Sequence, residues 1–214
     1  MTEPVYVSET RTAYDTVAES YAEMLKGFLA DAVWDRAMLT AFAELTGEGP
    51  VGDLGCGPGR LTGYLKSLGL DVFGVDLSPE MVAVARRTHP GIRFEVGSMA
   101  ALDLADGSLA GALAWYSLIH TPPAELPVLV KELARVLRPG GRLLTAFQVG
   151  DNARRRIENA YGHEISADAY RLDVDFMVQL LTDAGLVVEA RTVREPGPQY
   201  EATDQAYLVA RKPE

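Results

Sequence analysis

From Pro50 onward the chain alternates short apolar runs with amphipathic helical stripes, and few folds accept that alternation. Val51–Leu54, Asp71–Val75, Ile92–Val96, Leu109–Tyr116 and Arg142–Val149 read as strands. The run from Leu109 to Tyr116 carries no charged residue, as expected of a strand buried on both faces of a parallel sheet. Between them, Pro58–Leu68, a segment opened by Ser78-Pro79-Glu80, and the stripe Leu126, Leu129, Val130, Leu133, Val136, Leu137 read as helices. Ser78 offers a cap, Pro79 suits the first turn, and Glu80 complements the positive helix end. Asp173 opens a further helix that stops at Gly185, followed by strands Val187–Val193 and Ala206–Ala210. Those last two have only a loop between them, so they pair antiparallel, because a parallel pair needs a longer crossover. The expected fold is α/β: a Rossmann-like, doubly wound, seven-stranded sheet, mostly parallel with the last strand antiparallel.

Two helical stripes precede the sheet. One carries Tyr14, Val17, Ala18, Tyr21, Leu25 and Phe28; the other carries Trp34, Met38, Phe42 and Leu45, with Asp31 as its expected cap and Gly47 as its stop. Residues 150–172 are polar and show no period. The 214 residues thus read as one domain: an N-terminal helical lid (1–47), a cofactor-binding half (48–149), an acceptor-side insertion (150–172) and a C-terminal helix with an antiparallel strand pair (173–214).

Val51-Gly52-Asp53-Leu54-Gly55-Cys56-Gly57-Pro58-Gly59-Arg60 joins the first strand to the first sheet helix. Glycine lets a ligand approach the backbone, and the free N–H groups of the following helix favour a ligand's negative charge. The alternative is a tight turn that binds nothing. Asp76 ends the second strand about 20 positions later, where a carboxylate can accept both hydroxyls of a ribose. Nicotinamide-binding domains share that acid, but their glycines follow G-x-G-x-x-G, and Arg60 stands where the third would fall.

These motifs, with the Leu137-Arg138-Pro139-Gly140-Gly141 turn and the N-terminal Tyr14-Asp15-x-x-Ala18-x-x-Tyr21, closely resemble the class I S-adenosylmethionine-dependent methyltransferases of small-molecule type. The resemblance covers residues 50–148 best. It implies that S-adenosyl-L-methionine is the cofactor, with Asp53, Gly55, Cys56 and Gly57 at its methionine end and Asp76 on its ribose. It further implies that Leu77 and Met81 flank the adenine, and that Gly97, Ser98 and Met99 meet its edge. Ser98 stands where the family usually has an aspartate, so a neutral hydroxyl replaces a carboxylate there. Tyr116 and Tyr14 would close over the methionine part, and an aromatic face beside a sulfonium adds cation–π attraction. For Tyr14 and Tyr21, packing of an amphipathic helix is the competing reading.

Methyl transfer is an in-line displacement, favoured by alignment and a dry site, and an acid or base is needed only if the acceptor must lose a proton. His120, after the fourth strand, is the candidate general base, with an orienting role as the alternative. His163, with Tyr161 and Glu164, is expected at the acceptor pocket, and His89 as a helix cap. No His, Cys, Asp and Glu cluster has metal-ligand spacing. The acceptor is expected to be a small molecule with an O, N or C nucleophile. An oxidoreductase of the NAD type and a non-catalytic S-adenosylmethionine-binding module are the alternatives.

The formal net charge of −10 disfavours nucleic acid, and Arg154-Arg155-Arg156 is the only dense basic run. Cys56 is the only cysteine, so no intrachain disulfide forms. Met1-Thr2-Glu3-Pro4 lacks the basic and apolar regions of a signal peptide, and Leu109–Ile119 is too short to span a bilayer. A cytoplasmic monomer or homodimer is expected.

Overall fold

The computed structural model describes residues 3–197 and 201–214, so Met1 and Thr2 of the leader reading lie outside the described residues. Helix α1 (Val5–Met24) is followed by a short α2 (Phe28–Asp31) and by α3 (Val33–Thr46). The sheet region runs β1 (Pro50–Leu54), α4 (Arg60–Ser67), β2 (Asp71–Asp76), α5 (Pro79–Thr88), β3 (Phe94–Val96), β4 (Leu109–Trp115), α6 (Leu126–Val136) and β5 (Leu137–Gln148). A hairpin of β6 (Arg154–Ala160) and β7 (His163–Tyr170) intervenes before α7 (Val174–Asp183), β8 (Val187–Arg194) and β9 (Gln205–Arg211).

Seven strands form one sheet in the order β3-β2-β1-β4-β5-β9-β8. β9 runs antiparallel to both β5 and β8, while the remaining pairs are parallel. The order reverses between β1 and β4, so a crevice opens past their carboxyl ends. Every residue of β4 is buried. Successive side chains alternate between faces: Leu143 and Phe147 pack with α6 and α7, whereas Leu144 and Ala146 pack with Leu39 and Phe42 of α3 and Leu61 and Leu65 of α4. Helix α1 lies elsewhere, with Val17 and Ala18 against Met81 and Val84 of α5 and near Tyr161 and Ile165 of the hairpin.

Local chemistry accounts for most helix starts. Ser78 Oγ accepts from Met81 N at 3.1 Å with Pro79 in the first turn of α5, and Asp173 Oδ1 accepts from Phe176 N at 2.7 Å at the start of α7. His89 is the residue that closes α5, as expected of it. Asp31 departs from expectation. Gly27, at φ 77°, turns the chain into α2, which consumes Asp31 as its last residue, and α3 starts from Ala32 with no side-chain cap. The Arg36 guanidinium bonds the carbonyls of Leu29 and Ala30 there instead. The expected turn at Arg138–Gly141 lies inside the bounds of β5, as an irregularity between the Leu109–Leu137 and Gly111–Arg142 pairs.

Residues 150–172 are not irregular. Tyr161 (φ 53°) and Gly162 (φ 83°) form a two-residue turn with both residues in the left-handed region, the geometry that matches strand twist in a hairpin. Arg154 and Arg156 both pair with Asp168 across the strands, and Arg156 also reaches Glu9 of α1.

Two buried features set the floor beneath the crevice. Asp53 in β1 is buried and accepts from Thr62 Oγ1 of α4 at 2.6 Å. Burial pushes its carboxyl up to about 7, against the smaller opposing effect of the Thr62 bond. A raised carboxyl stabilises the fold in its protonated form, so its contribution is complete below the ordinary value of 3.8 and is lost as pH rises through about 7. The second feature is Gly74 in β2. A Cβ there would lie 2.5 Å from Phe94 Cδ1 and 2.7 Å from Cys56 Sγ, both in the core.

Two measurements follow. Asp53→Asn removes the titrating group while keeping an acceptor for Thr62. Its Tm relative to wild type should therefore shift in the variant's favour between about pH 4 and pH 8; parallel Tm curves would contradict the assignment. Gly74→Ala should cost about 1–3 kcal/mol by chemical denaturation, from overpacking against Phe94 and Cys56, and an unchanged midpoint would show that the floor can yield.

Candidate active site

The crevice deepens into a cavity of about 320 Å³ at the carboxyl ends of the strands, within the range of small-molecule and cofactor sites. Its floor is the loop between β1 and α4. Gly55 (φ 81°) and Gly57 (φ 53°) hold left-handed backbone that a side chain would strain. A Cβ on Gly55 would run into Ser117, whereas one on Gly57 would find only Tyr21 Cε1, at 3.8 Å. The Gly57 position thus opens toward the cavity rather than into the protein's own packing.

Asp76, the last residue of β2, ties this loop down. Its Oδ2 accepts from Gly57 N at 2.7 Å and its Oδ1 from Ser78 N at 2.9 Å. Burial raises its carboxyl above the ordinary value, while the bonds from the Ser78 and Gly57 amides act the other way. Each oxygen keeps acceptor capacity for a ligand.

Helix α1 closes one side. Asp15 Oδ1 accepts from Ser78 Oγ at 2.5 Å and from Glu80 N at 3.3 Å, so α1 docks on the first turn of α5. That contact aims Tyr14 and Tyr21 at the cavity. Their rings meet edge to face with centroids 5.9 Å apart, and Tyr161 from the hairpin turn meets Tyr21 at 4.9 Å.

His120 follows β4 in a short helical turn, and it is buried. Its Nδ1 lies 2.8 Å from the Asp168 carbonyl, which can only accept, so Nδ1 carries the proton and donates. Burial lowers its value below 6.5, so the ring is neutral at pH 7 and Nε2 accepts from the Tyr14 hydroxyl at 2.8 Å. Both ring nitrogens are therefore engaged. Tyr116, at φ 52°, holds a backbone conformation costly for a side chain, and its hydroxyl donates to Gln205 Oε1 at 2.7 Å.

Of the residues singled out in the sequence, Tyr14, Tyr21, Gly55, Gly57, Asp76, Leu77, Met81, Gly97, Ser98, Met99, Tyr116 and His120 line this one cavity. Asp53 and Cys56 do not. Asp53 points down to Thr62, and the buried Cys56 thiol sits behind the loop against the Gly57 carbonyl, its value raised by burial. His163 and Glu164 are exposed and off the cavity wall, which the hairpin reaches through Tyr161 instead. Arg11, Asp35, Arg60 and Glu201 also line the cavity, and reading the sequence had not singled them out. Arg60 was visible as the residue closing the glycine motif; the others are brought in by tertiary packing. Among the described residues, no group of three or more His, Cys, Asp or Glu side chains could hold a metal ion, and no helix is long and apolar enough to cross a membrane.

Comparison with known proteins agrees with this geometry. Residues 51–141 match the family model described as a methyltransferase domain. The chain is 36% identical over 136 residues to a demethylmenaquinone methyltransferase of Beutenbergia cavernae, covering 62% of this chain and 55% of that protein. It spans about half the length of the curated relatives it matches. Among solved structures, it superposes with a TM-score of 0.74 on the Burkholderia thailandensis 1,6-didemethyltoxoflavin-N1-methyltransferase, crystallised with 1,6-didemethyltoxoflavin and S-adenosylhomocysteine. That match is 22% identical and covers 100% of this chain and 94% of the other. The cyclase SpnF shares the fold at a TM-score of 0.72 and 18% identity, over 100% of this chain and 98% of its own. The glycine loop, the strand order and the domain match over residues 51–141 thus make this part of the chain similar to a methyltransferase domain.

Proposed function

We propose that the protein transfers a methyl group from S-adenosyl-L-methionine to a small-molecule acceptor bound under α1 and the β6–β7 hairpin. The observation that carries this reading is the pairing of Asp76 with the loop at Gly57 on a cavity at the sheet's switch point. The residues present fit such a cofactor. Asp76 retains acceptor capacity for ribose hydroxyls, and Gly57 lets a ligand approach its backbone. Ser98 Oγ accepts from Ala100 N at 3.2 Å and keeps a donor and a lone pair for the adenine edge. Bound there, the cofactor supplies an electrophilic methyl on a cationic sulfur.

The chain's own groups then align and exclude water. Tyr14, Tyr21 and Tyr161 form an aromatic wall that keeps solvent out and favours a cation nearby. His120 meets an acceptor through Tyr14. When the acceptor has a proton to lose, the Tyr14 hydroxyl takes it and passes its own to Nε2, while the Asp168 carbonyl holds the ring. A small acceptor also suits the surface. The Arg154–Arg156 run is not a free cationic patch, because Arg154 and Arg156 are paired with Asp168 and Arg156 also with Glu9. A monomer or homodimer in the cytoplasm completes the reading.

Calorimetry with S-adenosylhomocysteine and with NAD tests the cofactor directly: the first should bind and the second should not. Asp76→Ala should weaken S-adenosylhomocysteine at least tenfold while the fold survives, since each lost bond to the carboxylate is worth roughly 1.5–3 kcal/mol; unchanged affinity in a folded variant would remove Asp76 from the site. The cyclase among the structural neighbours shares this fold, so turnover with an acceptor panel is needed to establish methyl transfer. With an acceptor that must be deprotonated, kcat should fall as pH drops through the depressed value of His120, below 6.5. Tyr14→Phe should abolish that limb and most of the rate, and an unchanged pH profile would show that the pair only shapes the pocket.

A further inference from the structure

Asp35 stands in the first turn of α3 and is only 4% exposed, yet it lines the cavity. Its Oδ1 accepts from the Tyr207 hydroxyl at 2.8 Å. Among the described residues Oδ2 has no hydrogen-bond partner, and it is not sealed in the core as the unpaired Ser108 Oγ and Thr145 Oγ1 are, so it opens to the cavity. Glu201, the other carboxylate at this end, is spent on both terminal nitrogens of Arg194 and on Gly197 N. Burial raises the Asp35 carboxyl; the Tyr207 bond and the more distant Arg194 and Arg60 oppose that rise, but neither arginine forms an ion pair with it.

The sheet register says which end of the cavity this is. Trp115, Ala146 and Tyr207 are neighbours across β4, β5 and β9, and the small Ala146 lets the two rings approach to 5.4 Å. Tyr116 meets Trp115 at 5.9 Å, and the amide side chains of Gln148 and Gln205 come from facing positions at the ends of β5 and β9. In the sheet order β9 lies four strands from β2, whose last residue is Asp76. The end of the cavity remote from the ribose seat thus combines one open carboxylate with aromatic rings and neutral amides.

A buried carboxylate with an unused oxygen is costly unless a cation or a strong donor reaches it, and aromatic faces beside it add attraction for a cation. We propose that the methyl acceptor carries a protonated amine, which Asp35 anchors among Trp115 and Tyr116. The amine is a handle that orients the acceptor, and an anionic acceptor is rejected by the same carboxylate. The proposal rests on the reading of the cavity as an S-adenosyl site with its acceptor beyond β4 and β5.

The test is calorimetry on the protein loaded with S-adenosylhomocysteine, using three probes of one shape: phenethylamine, 2-phenylethanol and phenylacetate. Wild type should bind the amine roughly tenfold more tightly than the alcohol, as a charged hydrogen bond predicts, and the acid most weakly. Asp35→Asn keeps an acceptor for Tyr207 and removes the charge. It should bring the amine to the level of the alcohol while leaving S-adenosylhomocysteine affinity within about twofold. Loaded wild type that shows no preference for the amine, or that takes none of the three probes, would overturn the proposal while leaving the S-adenosyl site standing. So would an Asp35→Asn protein that keeps the preference, or one that loses S-adenosylhomocysteine instead, which would place Asp35 on the cofactor. Should Asp35→Asn fail to fold, the order of the three probes on wild type decides alone. Failure of wild type to bind S-adenosylhomocysteine would overturn the cofactor reading and the inference with it.

Discussion

The hydrogen bond from the Gly57 amide to Asp76 Oδ2 joins the loop after β1 to the end of β2, and the cavity is organised around it. It needs Gly57 in a left-handed conformation and Asp76 as the last residue of its strand. It also needs the two parallel strands in the register that places Leu54 beside Val75. The same carboxylate accepts from Ser78 N, and Ser78 Oγ both caps α5 and donates to Asp15 of α1. One chain of short polar contacts thus runs from the glycine loop to the helix that covers it. A change in the loop or in Asp76 should therefore be felt in α1, although α1 lies outside the sheet.

Burial and charge work together around the cavity. Asp53, Asp35 and Asp76 are all pushed toward their neutral forms by burial, and His120 is held neutral by it. With a neutral imidazole donating through Nδ1 to a carbonyl and accepting at Nε2 from Tyr14, the phenol is held in one orientation before any ligand arrives. Such preorganisation suits a reaction that depends on alignment more than on proton transfer.

What could be read in advance follows from how local the physics is. The start of α5 was legible because Ser78-Pro79-Glu80 acts within one turn, and β4 because a strand buried on both faces must be apolar throughout. The β6–β7 hairpin was not legible. β6 is exposed along most of its length, so no alternation marks it, and its turn is Tyr161-Gly162 rather than a familiar Asn-Gly pair. The glycine loop was legible as a binding loop, but neighbours in sequence do not share a facing direction. Gly55 and Gly57 line the cavity, whereas Asp53 and Cys56 turn into the protein. Asp35 and Glu201 come from segments with no motif at all, and only the packed fold brings them to the cavity.

A crystal structure of the protein with S-adenosylhomocysteine tests the central claim most directly. The account predicts the ribose at Asp76, with both hydroxyls within about 3 Å of the carboxylate oxygens and the bond from Gly57 N to Oδ2 still in place. A ligand seated elsewhere in the cavity, with Asp76 contacting only its own loop, would contradict it.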